Sequence, residues 1–99
     1  MRVLWSERAL RDALRIRNYL LDHNPLAAVA VAESLIAAGN NLSRFPRRYP
    51  EYGEGYREMV VSRYHYIIRY ELIPDSASPN RLAVGILSVW HPAQDRELD

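Results

Sequence analysis

Residues 81–91, RLAVGILSVWH, restrict the fold more than any other part of the chain. With the two-residue period of a strand, Leu82, Val84, Ile86 and Trp90 fall on one side and Ala83, Leu87 and Val89 on the other. A strand apolar on both faces belongs in the middle of a sheet, with neighbours on either edge. Two segments upstream suit that role. Tyr64–Leu72 alternates, with Tyr64, Tyr66, Ile68, Tyr70 and Leu72 on one face and His65, Ile67, Arg69 and Glu71 on the other. Tyr56–Val61 is a shorter strand, and PDSASPN turns the chain between the last two.

The N-terminal half supplies a cover for such a sheet. MRVLW reads as a short strand, and Ser6 follows as a helix N-cap with Glu7 set favourably against the helix dipole. Ala9, Leu10, Ala13, Leu14, Ile16, Leu20 and Leu21 then recur at helical spacing to about Asp22 or His23, leaving Arg8, Arg11, Asp12 and Arg15 largely outward. Asn24 and Pro25 start a second helix at once, the proline at a position where its missing N–H costs nothing. So short a connection predicts an antiparallel helical hairpin. Leu26–Ala32 carries no polar side chain, so the second helix can pack closely on the first and still leave apolar surface for a partner. RFPRRYPEYGEG is a loop without periodicity. The expectation is an α+β fold, β-α-α-β-β-β, in which the hairpin packs on one face of an antiparallel sheet and residues 1–99 form a single domain.

Composition narrows the chemistry. With no cysteine, disulfides, thiolate nucleophiles and Cys-ligated zinc are excluded. No apolar run approaches the roughly 18 residues of a membrane span, which predicts a cytoplasmic protein with no membrane contact. A formal charge of +1 hides an asymmetry: residues 1–50 hold eight Arg against four acids, residues 51–99 five Arg against eight acids. So modest a net charge leans away from holding a long nucleic acid by its phosphates. No phosphate-binding glycine loop, metal-ligand spacing or Ser/His/Asp arrangement appears, so no cofactor and no metal are expected.

A family resemblance runs along most of the chain. Val3, Trp5, Ser6, Ala9 and Asp12 at the start are followed by Leu42, Phe45 and Pro46 at the second helix end and Gly53 and Gly55 in the loop. Arg57 and Glu58 then open a strand, Tyr66, Tyr70 and Leu72 mark an aromatic one, and Val89, His91, Asp95 and Arg96 close the chain. In this order and spacing the motifs resemble the RelE/ParE toxin superfamily of type II toxin-antitoxin systems, which are known for plasmid stabilisation. The resemblance implies a toxin neutralised by an antitoxin encoded beside it, in a hetero-oligomeric complex. It implies one of two targets: RelE-type members cut messenger RNA in the ribosomal A site, whereas ParE-type members block DNA gyrase by binding it.

RNA cleavage through the 2′-hydroxyl needs an acid, a base and cations against the phosphorane. RelE-like enzymes supply these from lysines, arginines and a C-terminal tyrosine. This chain has no lysine and no tyrosine after Tyr70; Ile67 and Pro92 stand where ribonuclease members tend to carry arginine, and Leu98 near their tyrosine. A histidine-based alternative remains: His65 beside Arg69 by strand parity, with His91 oriented by Asp95 as general base. Each also has a structural reading, His65 as an exposed cross-strand residue and His91 as a ring hydrogen-bonded to the sheet end and packed against Trp90. His23 suits the dipole at the end of the first helix. Arg57 shares a face with Met59 and Val61, which places it at the core rim or paired with a carboxylate such as Glu71.

The expectation is thus a ParE-like toxin with a ParD-like antitoxin and DNA gyrase as target, no catalytic residue being favoured. Its target-binding residues would be Arg57, Trp90, His91 and Arg96. Leu26, Val29, Ala30 and Glu33 on the second helix and Arg44, Arg47 and Arg48 in the loop would meet the antitoxin. The alternative is a ribosome-dependent mRNA endonuclease using His65, Arg69 and His91.

Overall fold

The computed structural model describes residues 1–61 and 63–93. Ser6 caps the first helix by accepting a hydrogen bond from the Ala9 amide at 3.0 Å, so strand β1 (Val3–Trp5) passes directly into α1 (Glu7–His23). Asn24 closes α1 by donating its backbone N–H to Leu20 O and opens α2 (Pro25–Asn41) by accepting from Ala27 N through its side chain. The hairpin junction therefore falls where the Asn-Pro pair places it. Beyond it come β2 (Glu51–Tyr52), β3 (Tyr56–Val61), β4 (Tyr66–Asp75) and β5 (Ser78–Trp90). No helix among the described residues is long and apolar enough to cross a membrane.

The strand order is β1-β5-β4-β3-β2, so β5 is interior, as its two apolar faces require. The α+β architecture matches the expectation, with two differences in the sheet. It is mixed, because β1 pairs with β5 in parallel (Val3 with Val84, Trp5 with Ile86) while the other pairings are antiparallel. It also gains β2 from the segment read as a featureless loop: Gly53 and Gly55, both at positive φ, turn the chain so that Glu51 and Tyr52 pair with Arg57 and Tyr56. The hairpin and one sheet face close over a core of Ala9, Ile16, Val31, Leu35, Met59, Ile68, Tyr70, Val84, Ile86 and Val89. Gly39 lets α2 approach that sheet, since a Cβ there would sit 2.8 Å from Trp5 Cη2 and 2.9 Å from Ile86 Cδ1.

One irregularity in β5 decides what its end presents. Arg69 stands opposite Ser88 but Tyr70 opposite Ile86, so Leu87 is an extra residue, a β-bulge. Val89 is thereby returned to the helix side with Val84 and Ile86, all at most 1% exposed, and Trp90 is turned to the other face opposite Ile67. The strict alternation that grouped Trp90 with Ile86 fails for this reason.

The same bulge corrects the reading of Asp12. Past Ile86 the strand β1 has ended, and α1 takes its place at the edge of β5. Ser6 N donates to Ile86 O at 3.0 Å, Ser6 Oγ donates to Leu87 O at 3.0 Å, and Val89 N donates to Asp12 Oδ2 at 3.0 Å. Asp12 is therefore buried at 4% exposure, although its helical phase beside Arg8 and Arg15 suggested an outward residue. Arg15 Nη2, 2.7 Å from its other oxygen, partners the charge.

Candidate functional site

The hairpin covers one side of the sheet and leaves the other open. Register places Tyr56, Glu58 and Val60 of β3, Ile67, Arg69 and Glu71 of β4, and Ser88 and Trp90 of β5 together on the uncovered side. At its centre the Arg69 guanidinium lies between two rings, 4.5 Å from the Tyr56 centroid and 4.7 Å from that of Trp90. Each such stack is worth about 0.5–2 kcal/mol depending on exposure. Its Nε and Nη2 both donate to Glu58 Oε2, at 3.1 and 2.9 Å. The outcome is a rigid aromatic-guanidinium-carboxylate cluster whose cation is already neutralised. Glu71 adds a second acid, so on this half of the face Arg69 is the only cation among the described residues.

The residues expected at a histidine-based catalytic site are not brought together. His65 lies outside β4, which begins at Tyr66: it is exposed in the turn after Val61, donates its amide to Val61 O, and has φ 62°. Side-chain parity with Arg69 is lost with the strand. His91 stands on the helix side of the sheet end, with its ring edge-on to Tyr66 at 5.2 Å between centroids. The Ala93 amide donates to His91 Nδ1 at 3.1 Å, which leaves the proton of the neutral ring on Nε2. Through that bond the ring caps the turn after β5. Burial pushes the Tyr66 phenol above its ordinary value, with Tyr19 adding to the effect, so the neighbour of His91 is a neutral hydroxyl. His23 donates from Nδ1 to Tyr19 O at 2.7 Å and stacks on that ring, as a residue finishing a helix should.

The expected target-binding set also divides. Trp90 sits on the open face, His91 beside Tyr66, and Arg57 on the opposite, helix-facing side. Arg57 pins the preceding loop, its Nη1 donating to Tyr49 O at 2.7 Å, and its nearest carboxylate is Glu51 at 3.9 Å, not Glu71, which points the other way. Tyr70 supports the same loop by donating its hydroxyl to Pro46 O at 2.6 Å, and burial raises the phenol's pKa. Asp95, Arg96 and Leu98 lie outside the described residues. Among the described residues, no group of three or more His, Cys, Asp or Glu could hold a metal ion.

A second surface lies on the outside of the hairpin. Leu26 is 88% exposed and Val29 58%, with Ala30 half-buried and Glu33 exposed on the same helix. Beside them Trp5, Leu10, Ala13, Leu14, Arg17, Ala32 and Ile36 line a groove of about 470 Å³ between the two helices. Arg44, Arg47 and Arg48 are exposed in the following loop, Arg48 over the Tyr49 ring. Sequence reasoning singled out Leu26, Val29, Ala30 and Glu33 of α2 but missed Leu10 and Leu14 of α1 and Ile36 of α2. For Leu10 and Leu14 the signal was present in α1: its apolar positions cover more of the circumference than the one buried stripe of Ala9, Asp12 and Ile16 occupies. Tyr56 and Glu58 were missed as partners of Arg69 because cross-strand pairing is not written in either strand alone.

Known proteins share this fold. The chain matches the family described as ParE toxin of type II toxin-antitoxin system, parDE, over residues 3–96. Toxin RelE2 of Caulobacter vibrioides is 40% identical over 68 residues, 69% of this chain and 76% of that protein. Toxin RelE1 of the same organism is 32% identical over 96 residues, 95% and 96% of the two chains. A solved chain of the "Chromosomal ParDE TA system from P. aeruginosa" covers 92% of this chain, and 95% of itself, with a TM-score of 0.75 at 15% identity, a likeness of fold. The family match, which takes in β1 through β5, and relatives at these identities agree on one assignment: this protein belongs to the ParE toxin family, within the RelE/ParE toxins of type II toxin-antitoxin systems.

Proposed function

We propose that this toxin acts as a ParE-like inhibitor, blocking DNA gyrase by binding in the cytoplasm, and that a ParD-like antitoxin keeps it inactive. One observation carries the reading: the centre of the open sheet face is a closed Tyr56-Arg69-Trp90 stack with Glu58 on the guanidinium. An RNA backbone brought to this half of the face would meet Glu58 and Glu71 against one paired Arg, the reverse of what a phosphorane transition state requires. A protein surface suits it better, since Trp, Tyr and Arg in a preformed cluster are the residues that anchor protein-protein contacts. The antitoxin would lay an apolar segment along the groove of Leu10, Leu14 and Ile36 and the adjoining Leu26 and Val29, with Arg17 and the Arg44–Arg48 loop flanking its acidic side chains.

Supercoiling by purified gyrase should fall in proportion to added toxin, and Trp90→Ala should relieve the inhibition, while ribosome-bound messenger RNA stays uncut. A second reading, RelE-like cleavage of messenger RNA with Arg69 and His91, is favoured by the names of the two Caulobacter relatives. Unaffected gyrase together with A-site cuts that disappear in His91→Ala would establish that reading and overturn the first.

A further inference from the structure

We propose that Asp12, with Ser6, is a positioning residue for the contact face: α1 fixes the bulge in β5 and so determines that Trp90 faces Arg69. The inference rests on the proposed function only in naming the open face as the contact surface. It starts from a competition built into the strand. Residues 81–91 alternate well enough to continue unbulged, and in that register Trp90 would follow Ile86 to the helix side while Val89 turned outward. The bulge reverses both. It also directs the Leu87 carbonyl and the Val89 N–H away from β4, to an edge that β1 no longer covers.

Those two groups are what α1 receives. Ser6 Oγ donates to Leu87 O and Asp12 Oδ2 accepts from Val89 N, in a buried setting where an unpartnered N–H would be costly. Trp90 is the residue after Val89, and its ring stacks on Arg69 from the other side of the sheet. Asp12 touches neither Trp90 nor Arg69, so it acts through the backbone. An Ala at position 12 removes the acceptor, so the bulged register loses the partner of its Val89 amide and with it its advantage over the regular one. An Asn keeps an oxygen in place. The ion pairs of Asp12 with Arg15, at 2.7 Å, and with Arg8, at 3.9 Å, aim the carboxylate without being needed for the backbone bond.

The test uses the full chain carrying Trp5→Phe, which leaves Trp90 as the only indole, with Asp12→Ala and Asp12→Asn added separately. In Asp12→Ala the Val89 amide should exchange about tenfold faster or more, the loss of one charge-assisted hydrogen bond. Acrylamide quenching of Trp90 should change with it, and gyrase inhibition should weaken by about tenfold or more while antitoxin affinity changes by less than about twofold. Asp12→Asn should restore all three readouts most of the way. If Asp12→Ala does not fold, Ser6→Ala, which removes the other anchor of the bulge, should alter Trp90 quenching in the same direction. The proposal is overturned if Val89 exchange accelerates but Trp90 quenching does not move, because Asp12 is then only a stabilising contact. A wild-type toxin inactive on gyrase would sink the proposed target and leave the quenching and exchange results to decide the positioning role.

Discussion

Gly39 and Asp75 show how much single residues contribute. Gly39 sits inside α2, where alanine is intrinsically better by about 1 kcal/mol. The missing Cβ is nevertheless what admits Trp5 and Ile86, and Trp5 also donates from Nε1 to Asn40 Oδ1 at 3.3 Å. Gly39→Ala should therefore lose about 1–3 kcal/mol to overpacking, lowering the urea midpoint; an unchanged or raised midpoint would show that the contact can relax. Asp75 ties the tip of the β4-β5 hairpin to the N-terminus: Arg2 donates to it at 2.9 and 2.7 Å, and the Ala77 amide donates at 2.9 Å. The Arg2 hydrogen bonds, followed by the Ala77 amide, hold its carboxyl below the ordinary 3.8. A depressed folded-state pKa stabilises above the unfolded value and is lost as pH falls through the folded one. The melting-temperature difference between wild type and Asp75→Asn should thus be largest near neutrality and shrink below pH 3.8, where protonation begins to remove the same interaction. A difference independent of pH would rule the ion pair out as its cause.

Elements with local chemistry at their ends were legible in the sequence. Ser6 and the Asn24-Pro25 pair marked both helices almost to the residue, and the doubly apolar segment was rightly placed inside the sheet. What could not be read depended on partners distant in the chain. Leu87 becomes a bulge only because Ser6 and Asp12 wait beside it, and β4 starts at Tyr66 only because His65 adopts a left-handed turn. The open-face cluster was half visible: Arg69 and Trp90 were singled out, but for different roles, and Glu58 as the group that silences Arg69 was not. The helical hairpin offers a separate test. Ile36→Asp places a charge in the groove on a side chain that is already 53% exposed, so the fold should tolerate it. Antitoxin affinity should fall by about a hundredfold, read by calorimetry, with gyrase inhibition retained. Equal loss of both would mean that the two surfaces are not independent.

The molecule as a whole presents two unlike surfaces on opposite sides of one core, an apolar groove over the hairpin and a neutralised aromatic cluster on the bare sheet. On the proposed function a net charge of only +1 is sufficient, since neither surface then needs a strong field to find a nucleic acid. Both depend on β1. Deleting residues 1–5 removes the strand beside Val84–Ile86 and the Arg2 partner of Asp75, and exposes an apolar strand edge. Size-exclusion chromatography should show that product as aggregates; a monomer with the wild-type unfolding midpoint would mean that α1 alone protects the edge.

The parallel pairing of β1 with β5 also bears on the order of synthesis. Val3 leaves the ribosome well before its partner Val84, 81 residues further along, so the central strand acquires its second neighbour only after that stretch has been made. Trp90 and the bulge that aims it follow later still, so on the proposed reading the contact face is absent until then. On that reading the interval between Val3 and Val84, several seconds at about 5–20 residues per second, passes before there is a contact face for an antitoxin to neutralise.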